Sequence, residues 1–281
     1  MEKSEFSGAP VSLDWPAPQV ARLTLDRGTE FNTLTFAMLR GLDEALDKAQ
    51  AEGARVVIVI GSGKAFCCGA EVSYFTDPAS GLADNPLAIR ERYVRQIIRT
   101  FRKLRDMPFV TIAAINGFAL GGGCEMALSC DFRLIASNAR IGLTEARLGA
   151  VPGAGGVQML SAVVGRAKAL EIILLADQWS AEEALSAGLV HSVHQREALD
   201  DAALALARRL LLCSPISIAE SKRAINRCET SSADEADEIA LDAVAAAASG
   251  TDWPEGMRAF RERRPPRFAE HGIGRQGSGN R

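Results

Sequence analysis

The stretch Val110-Thr111-Ile112-Ala113-Ala114-Ile115-Asn116-Gly117-Phe118-Ala119-Leu120-Gly121-Gly122-Gly123-Cys124-Glu125-Met126-Ala127-Leu128 decides how this chain is built. Its first six residues are an apolar, β-branched run, the pattern of a strand buried on both faces. Three consecutive glycines then lead into a helical start. The first amides of a helix have no partner within it and stand at the positive end of its dipole, so they favour an anion or an oxygen gaining negative charge. Glycine matters there because a side chain would hold a substrate away from the backbone.

Two other glycine-rich turns follow apolar runs. Arg55 to Ile60 reads as a second buried strand, ending in Gly61-Ser62-Gly63 with Gly69 beyond, and Gly153-Ala154-Gly155-Gly156 forms the third cluster. None fits the dinucleotide fingerprint G-x-G-x-x-G, since Phe66 stands where the first turn would need its third glycine. A phosphate-binding Gly-Lys-Ser/Thr loop is missing as well.

Working outward, Val20 to Leu25 alternates as a half-buried strand does, and Thr33 to Ala49 repeats apolar residues at helical spacing. Asp131 to Ala136 supplies a third buried strand. Thr76 to Pro86 reads as a mobile loop, followed by an amphipathic stretch from Leu87 to Arg105. From Gly165 onward the pattern is almost wholly helical, with Ser180 as an N-cap ahead of Glu182 and Glu183. The residues alone predict a mixed α/β core followed by helices.

The 281 residues, 47% of them hydrophobic, suffice for one sizeable core with a modest appendage. Lys and Arg total 32 against 35 Asp and Glu, a formal charge of −3 that gives no support to a broad nucleic-acid surface. Six cysteines without C-x-x-C spacing and three histidines argue against a zinc site, so no metal is expected. The start Met1-Glu2-Lys3-Ser4-Glu5-Phe6 lacks the apolar segment of a leader, and no run is long enough for a bilayer; a cytoplasmic, membrane-free protein is expected.

Three segments, in order, carry a resemblance to the enoyl-CoA hydratase/isomerase (crotonase) superfamily, and most of all to its hydratases. Phe66-Cys67-Cys68-Gly69-Ala70-Glu71 resembles the family's F-x-x-G-A-D, and Asn116 to Glu125 resembles N-G-x-A-x-G-G-G-x-E. Thr144-Glu145 through Val151-Pro152-Gly153-Ala154-Gly155-Gly156 is similar to its next motif. Near the end, Glu255 to Arg264 resembles E-G-x-x-A-F-x-E-K-R.

This resemblance implies an α/β fold, a spiral of ββα units over residues 20–200 after an N-terminal extension (1–19), then a helical trimerisation region (201–268) and a flexible tail (269–281). It implies a homotrimer or homohexamer acting on an acyl-CoA thioester, with no cofactor because CoA is part of the substrate. By the same carry-over the N–H groups of Ala70 and Gly122 form an oxyanion hole, Glu125 and Glu145 are the catalytic carboxylates, and Gly153 helps hold the attacking water. Lys64, Cys68, Gly69, Phe260 and Arg263 join Ala70 and Gly122 in contacting the substrate.

The expected activity is hydration of a 2-enoyl-CoA to a 3-hydroxyacyl-CoA. Three departures bear on specificity: Ser73 where a lysine is common, Thr144 in place of proline, and Val157-Gln158-Met159-Leu160 for T-Q-R-L. Gly142-Leu143-Thr144-Glu145 is closer to hydratases of branched, 3-methylglutaconyl-type thioesters. A crotonase-type isomerase, hydrolase or decarboxylase, and a noncatalytic RNA- or acyl-CoA-binding protein, stand as alternatives.

Overall fold

The computed structural model describes residues 9–268. Its chain begins with an antiparallel pair, β1 (Val11–Ala17) and β2 (Val20–Leu25), turned through Gln19 at positive φ. α1 (Phe36–Ala51) follows, its first turn capped by the Thr35 hydroxyl, which accepts from Met38 N–H. β3 (Val56–Gly61) then lies parallel to β2, and β4 (Ala65–Cys67) steps away into a second sheet.

Short helices α2 (Ser73–Thr76) and α3 (Pro86–Ala88) and a π-helical turn over Ile89–Val94 lead into α4 (Arg95–Asp106). The same step then repeats. β5 (Val110–Ile115), β6 (Phe118–Leu120) and α5 (Gly122–Leu128) form one turn, and β7 (Phe132–Ala136), β8 (Arg140–Gly142) and α6 (Gly156–Leu175) the next. α6 is broken at Gly165, whose φ of 76° is not helical.

Each turn thus gives one strand to a six-stranded sheet ordered β1-β2-β3-β5-β7 and closed by Ser192–His194, one to a four-stranded sheet ordered β4-β6-β8 and closed by Trp179–Ser180, and one helical segment. This is the expected spiral of ββα units. β5 is buried along its whole length and β3 nearly so, as their apolar runs predict.

The remainder comprises β9 (Trp179–Ser180), α7 (Ala181–Ser186), β10 (Ser192–His194), α8 (Leu199–Leu210), α9 (Pro215–Cys228), α10 (Ala233–Ser249) and α11 (Asp252–Glu262). Ser180 caps α7 as expected, in a capping box with Glu183. β9 and β10 interrupt the expected helical run; at two and three residues they are too short to show strand alternation.

Two expected boundaries move. Residues 11–17, assigned to an extension, are β1, an edge strand hydrogen-bonded to β2, so the limit at 19/20 cuts a hairpin. The limit at 200/201 falls inside α8, which buries Leu199, Ala203 and Ala207 and packs on β3, β5 and β7. The core therefore extends through α8. α9 is tied to it by Lys222, whose ammonium meets the Asp131 carboxylate at 2.7 Å and the Phe109 carbonyl at 2.9 Å. The expected flexible tail, 269–281, lies outside the described residues.

Candidate active site

Consider first the direction of two peptide groups. Leu34 N–H donates to the Gly69 carbonyl at 2.8 Å, in a parallel bridge between Leu34 and Ala70. Because a trans peptide sets its N–H opposite its C=O, Ala70 N–H points away from Leu34. The Gly121 carbonyl accepts from Glu125 N–H at 3.1 Å, so the N–H of Gly122, in the first turn of α5, points out of the helix start.

These two donors are neighbours. A Cβ added to Gly69 would lie 2.8 Å from Gly122 N, and Gly69 has a φ of 81°, so only glycine is tolerated on both counts. Gly121, at φ 53°, occupies the same kind of position: a Cβ there would lie 2.9 Å from Oε1 of Glu145.

That contact also brings the second glutamate to the start of α5. Glu145 opens a 3₁₀ turn, and its Oε2 is buried without a hydrogen-bond partner among the described residues. Burial raises its carboxyl above the ordinary value. Glu125, 4% exposed on α5, has Oε1 held by the N–H groups of Ala154 at 2.8 Å and Gly156 at 2.9 Å. Burial pushes its carboxyl up to about 7 against the pull of those amides, and the charge of Glu145 adds to the rise. Two buried carboxyls, both raised above their ordinary values, therefore stand near two main-chain donors.

The other expected residues are spread around this centre. Gly153 immediately precedes the amides that hold Glu125, and a Cβ on it would lie 3.9 Å from Val94 Cγ1. Lys64 is exposed at the entry to β4. Cys68 donates its N–H to the Phe31 carbonyl at 3.0 Å, and burial pushes its thiol up to about 11, which keeps it neutral. Phe260, 84% exposed, lies on α11, and Arg263 follows that helix; no hydrogen bond or ion pair joins either side chain to the glycine turns among the described residues. Ser73, the departure from lysine, donates to Glu71, whose other oxygen accepts from Thr33.

Several residues that hold the site escaped the sequence reading. Asn32, wholly buried, donates its side-chain amide to the carbonyls of Ser62, Ala65 and Phe66 and so fixes the turn before Ala70. The buried Arg133 donates to the carbonyls of Ala127, Cys130 and Leu189, closing the C-terminal end of α5. Polarity at buried strand and turn positions was the available signal for both. The amides of Ala154 and Gly156 carry no such signal.

A cavity of about 1240 Å³ lies elsewhere, between α4, the start of α6 and α9–α10, with Phe101, Arg105, Met159, Asn226 and Ile239 in its walls. It touches Ala154 and Gly155 from behind but includes none of Ala70, Gly122 or Glu145. Convergence of donors and acids, not size, therefore locates the candidate site. Among the described residues no group of three or more His, Cys, Asp or Glu side chains is arranged to hold a metal.

The chain resembles known proteins over most of its length. The chain is 35% identical over 252 residues to the crotonyl-CoA hydratase of Syntrophomonas wolfei, covering 89% of this chain and 94% of that protein. It is 36% identical over 248 residues to the short-chain-enoyl-CoA hydratase of Clostridium acetobutylicum, covering 88% and 92%. The crystal structure of an enoyl-CoA hydratase from Bacillus anthracis superposes with a TM-score of 0.86 at 34% identity, covering 93% of this chain and all of the other. With the profile of the enoyl-CoA hydratase/isomerase family matching residues 17–271, the chain belongs to that family.

Proposed function

We propose that this chain is an enoyl-CoA hydratase, a lyase that adds water across the 2,3 double bond of a 2-enoyl-CoA to give a 3-hydroxyacyl-CoA. The observation that carries the reading is the meeting, at the start of α5, of two main-chain donors with two buried carboxyls, one of them with an oxygen that has no hydrogen-bond partner among the described residues.

In this reading Ala70 and Gly122 donate to the thioester oxygen. As water attacks C3, the π electrons move toward that oxygen, and the enolate-like charge strengthens both hydrogen bonds relative to the ground state. One carboxylate takes the proton that water loses; the partner carboxyl supplies the proton that C2 gains. Burial raises both carboxyls and the charge of Glu145 adds to the rise at Glu125, so a proton shared by the pair would suit both tasks. Gly153, beside the loop that holds Glu125, takes part in holding the water.

CoA enters as part of the substrate, and no separate cofactor is invoked. Lys64 meets its phosphates, Cys68 and Gly69 line its path, and Phe260 and Arg263 cover the nucleotide from a neighbouring subunit. Exposed Ile225, Leu241 and Val244 on α9 and α10 support assembly as a trimer or a dimer of trimers. Among the described residues no single helix is long and apolar enough to cross a membrane, and we place the enzyme in the cytoplasm.

The test follows loss of the conjugated enoyl absorbance for straight and branched 2-enoyl-CoA thioesters, with Glu125→Gln and Glu145→Gln alongside. Turnover of crotonyl-CoA that falls steeply in both variants is expected. Hydration unchanged in both would overturn the assignment, and a preference for branched thioesters would follow the Gly142-Leu143-Thr144-Glu145 signature.

A further inference from the structure

Ala70 has little of its own to hold its amide in place. Its side chain is one methyl, and its orientation depends on the peptide groups flanking it. On one side the Gly69 carbonyl is fixed by Leu34 N–H at 2.8 Å. On the other, Glu71 N–H donates to the hydroxyl of Tyr93 at 3.0 Å, and that hydroxyl donates in turn to the Leu34 carbonyl.

A parallel bridge between Leu34 and Ala70 is built on two links, Leu34 N–H with Gly69 C=O and Glu71 N–H with Leu34 C=O. Here the Tyr93 hydroxyl engages both members of the second link. It ties the two segments together through two hydrogen bonds.

Tyr93 is well placed to be rigid. It is 1% exposed, with Phe36, Tyr74 and Phe75 rings packed edge-on to it at centroid distances of 5.5 to 5.6 Å. Burial raises its phenol above the ordinary value, so the hydroxyl stays protonated and keeps donating. It also sits on the π-helical turn Ile89–Val94, a helix distortion that recurs at functional sites. The next residue, Val94, faces Gly153, so this one turn meets both the segment carrying Ala70 and the loop holding Glu125.

We infer that Tyr93 is a positioning residue of the oxyanion hole, its hydroxyl setting the direction of the Ala70 N–H by clamping Glu71 to Leu34. The inference rests on the hydratase reading only in taking Ala70 as a donor to the thioester oxygen. A structural tyrosine would affect stability alone; a positioning one must change carbonyl polarisation in the bound ligand.

The experiment uses the full-length protein and a CoA thioester of para-dimethylaminocinnamic acid, whose absorption moves to longer wavelength as its carbonyl accepts stronger hydrogen bonds. Wild type is expected to shift the band. Tyr93→Phe, which keeps the packed ring, is expected to bind the probe within twofold yet lose at least half of the shift per bound probe. Its kcat for crotonyl-CoA should fall roughly tenfold with KM within twofold, as befits a displaced donor rather than a missing one.

Tyr74→Phe is the control: it removes a hydroxyl from the same aromatic group, but one that accepts from Phe36 N–H at 3.3 Å. Its band shift should match wild type. A full shift and wild-type kcat in Tyr93→Phe would overturn the inference, as would an equal loss in Tyr74→Phe. If Tyr93→Phe does not fold, 3,5-difluorotyrosine at position 93 keeps ring and hydroxyl while weakening the oxygen as an acceptor. A reduced shift then supports the clamp, and an unchanged one overturns it.

The two readings fail separately. A wild type that shifts the probe but hydrates no enoyl-CoA defeats the hydratase reading, while loss of the shift in Tyr93→Phe would still support the clamp. A wild type that binds the probe without any shift defeats the hole and the clamp together.

Discussion

α5 and α10 treat their side chains in opposite ways. All seven residues of α5 are buried, whereas α10, seventeen residues long, buries Ile239 alone and leaves Leu241 and Val244 exposed. The first helix is finished within the chain itself: its start meets Gly69 and Glu145, its interior carries Glu125, and Arg133 closes its end. The second has an apolar face, Leu241 and Val244, that no described residue covers. The chemistry is therefore expected to survive changes in the helical end that would not be tolerated in the core, and substrate binding and assembly to show the reverse.

The sharpest test of the finished half is removal of its acids. Glu125→Gln and Glu145→Gln are each expected to lower kcat for crotonyl-CoA by roughly 10²–10⁴-fold, the range of general acid–base assistance. Combining them should cost much less than the product of the single losses, because groups that share a proton act as a unit. Strict additivity in single-turnover measurements would separate the two carboxyls and undo the pairing.

Next in size is Gly69→Ala. The added methyl would press on Gly122 N from a backbone at φ 81°, disturbing both donors at once. A loss of about 10²-fold in kcat with a smaller change in KM is expected, comparable with removal of one oxyanion donor. A change in KM alone would mean that the turn binds CoA without polarising the carbonyl.

The same contrast explains what could be read from the sequence. β3, β5 and the glycine turns announced themselves because burial on both faces forces apolar runs and a close backbone approach forces glycine. Thus Val56 to Ile60, Val110 to Ile115 and Gly121 to Gly123 were legible one by one. β1 was hidden because an edge strand with Asp14, Trp15 and Pro16 shows no clean alternation. The supports of the site were hidden for another reason: the hydrogen bonds from Ala154 and Gly156 to Glu125 come from main chain, which every residue has. Tyr93 lies unmarked within the amphipathic stretch from Leu87 to Arg105, and its hydroxyl gains meaning only when Leu34 and Glu71 are brought to it.

On the unfinished half, Leu241→Glu with Val244→Glu should lower the mass measured by light scattering from that of a trimer or hexamer to that of a monomer, since a charge placed on a covered apolar face is costly. An unchanged mass would put the interface elsewhere. Phe260→Ala is expected to raise KM roughly 3- to 10-fold with kcat kept, the loss of about 1 kcal/mol of contact with the nucleotide. A fall in kcat instead would move Phe260 from binding into the chemistry.

The smallest effect is on stability and returns to Glu125. Its carboxyl lies at about 7 in the folded chain and near 4.5 when exposed. Below pH 4.5 both states hold the proton and no stability is lost. Between 4.5 and about 7 the unfolded chain ionises first, so the folded state is weakened progressively, by up to about 3 kcal/mol from a shift of this size. Glutamine at 125 keeps an oxygen for the amides of Ala154 and Gly156 but cannot ionise. The Glu125→Gln variant should therefore melt close to wild type at pH 4 and several degrees above it at pH 8, the gap opening across that window. A gap of the opposite sign would mean that the folded protein stabilises the Glu125 carboxylate, and would remove the physical reason for its sharing a proton with Glu145.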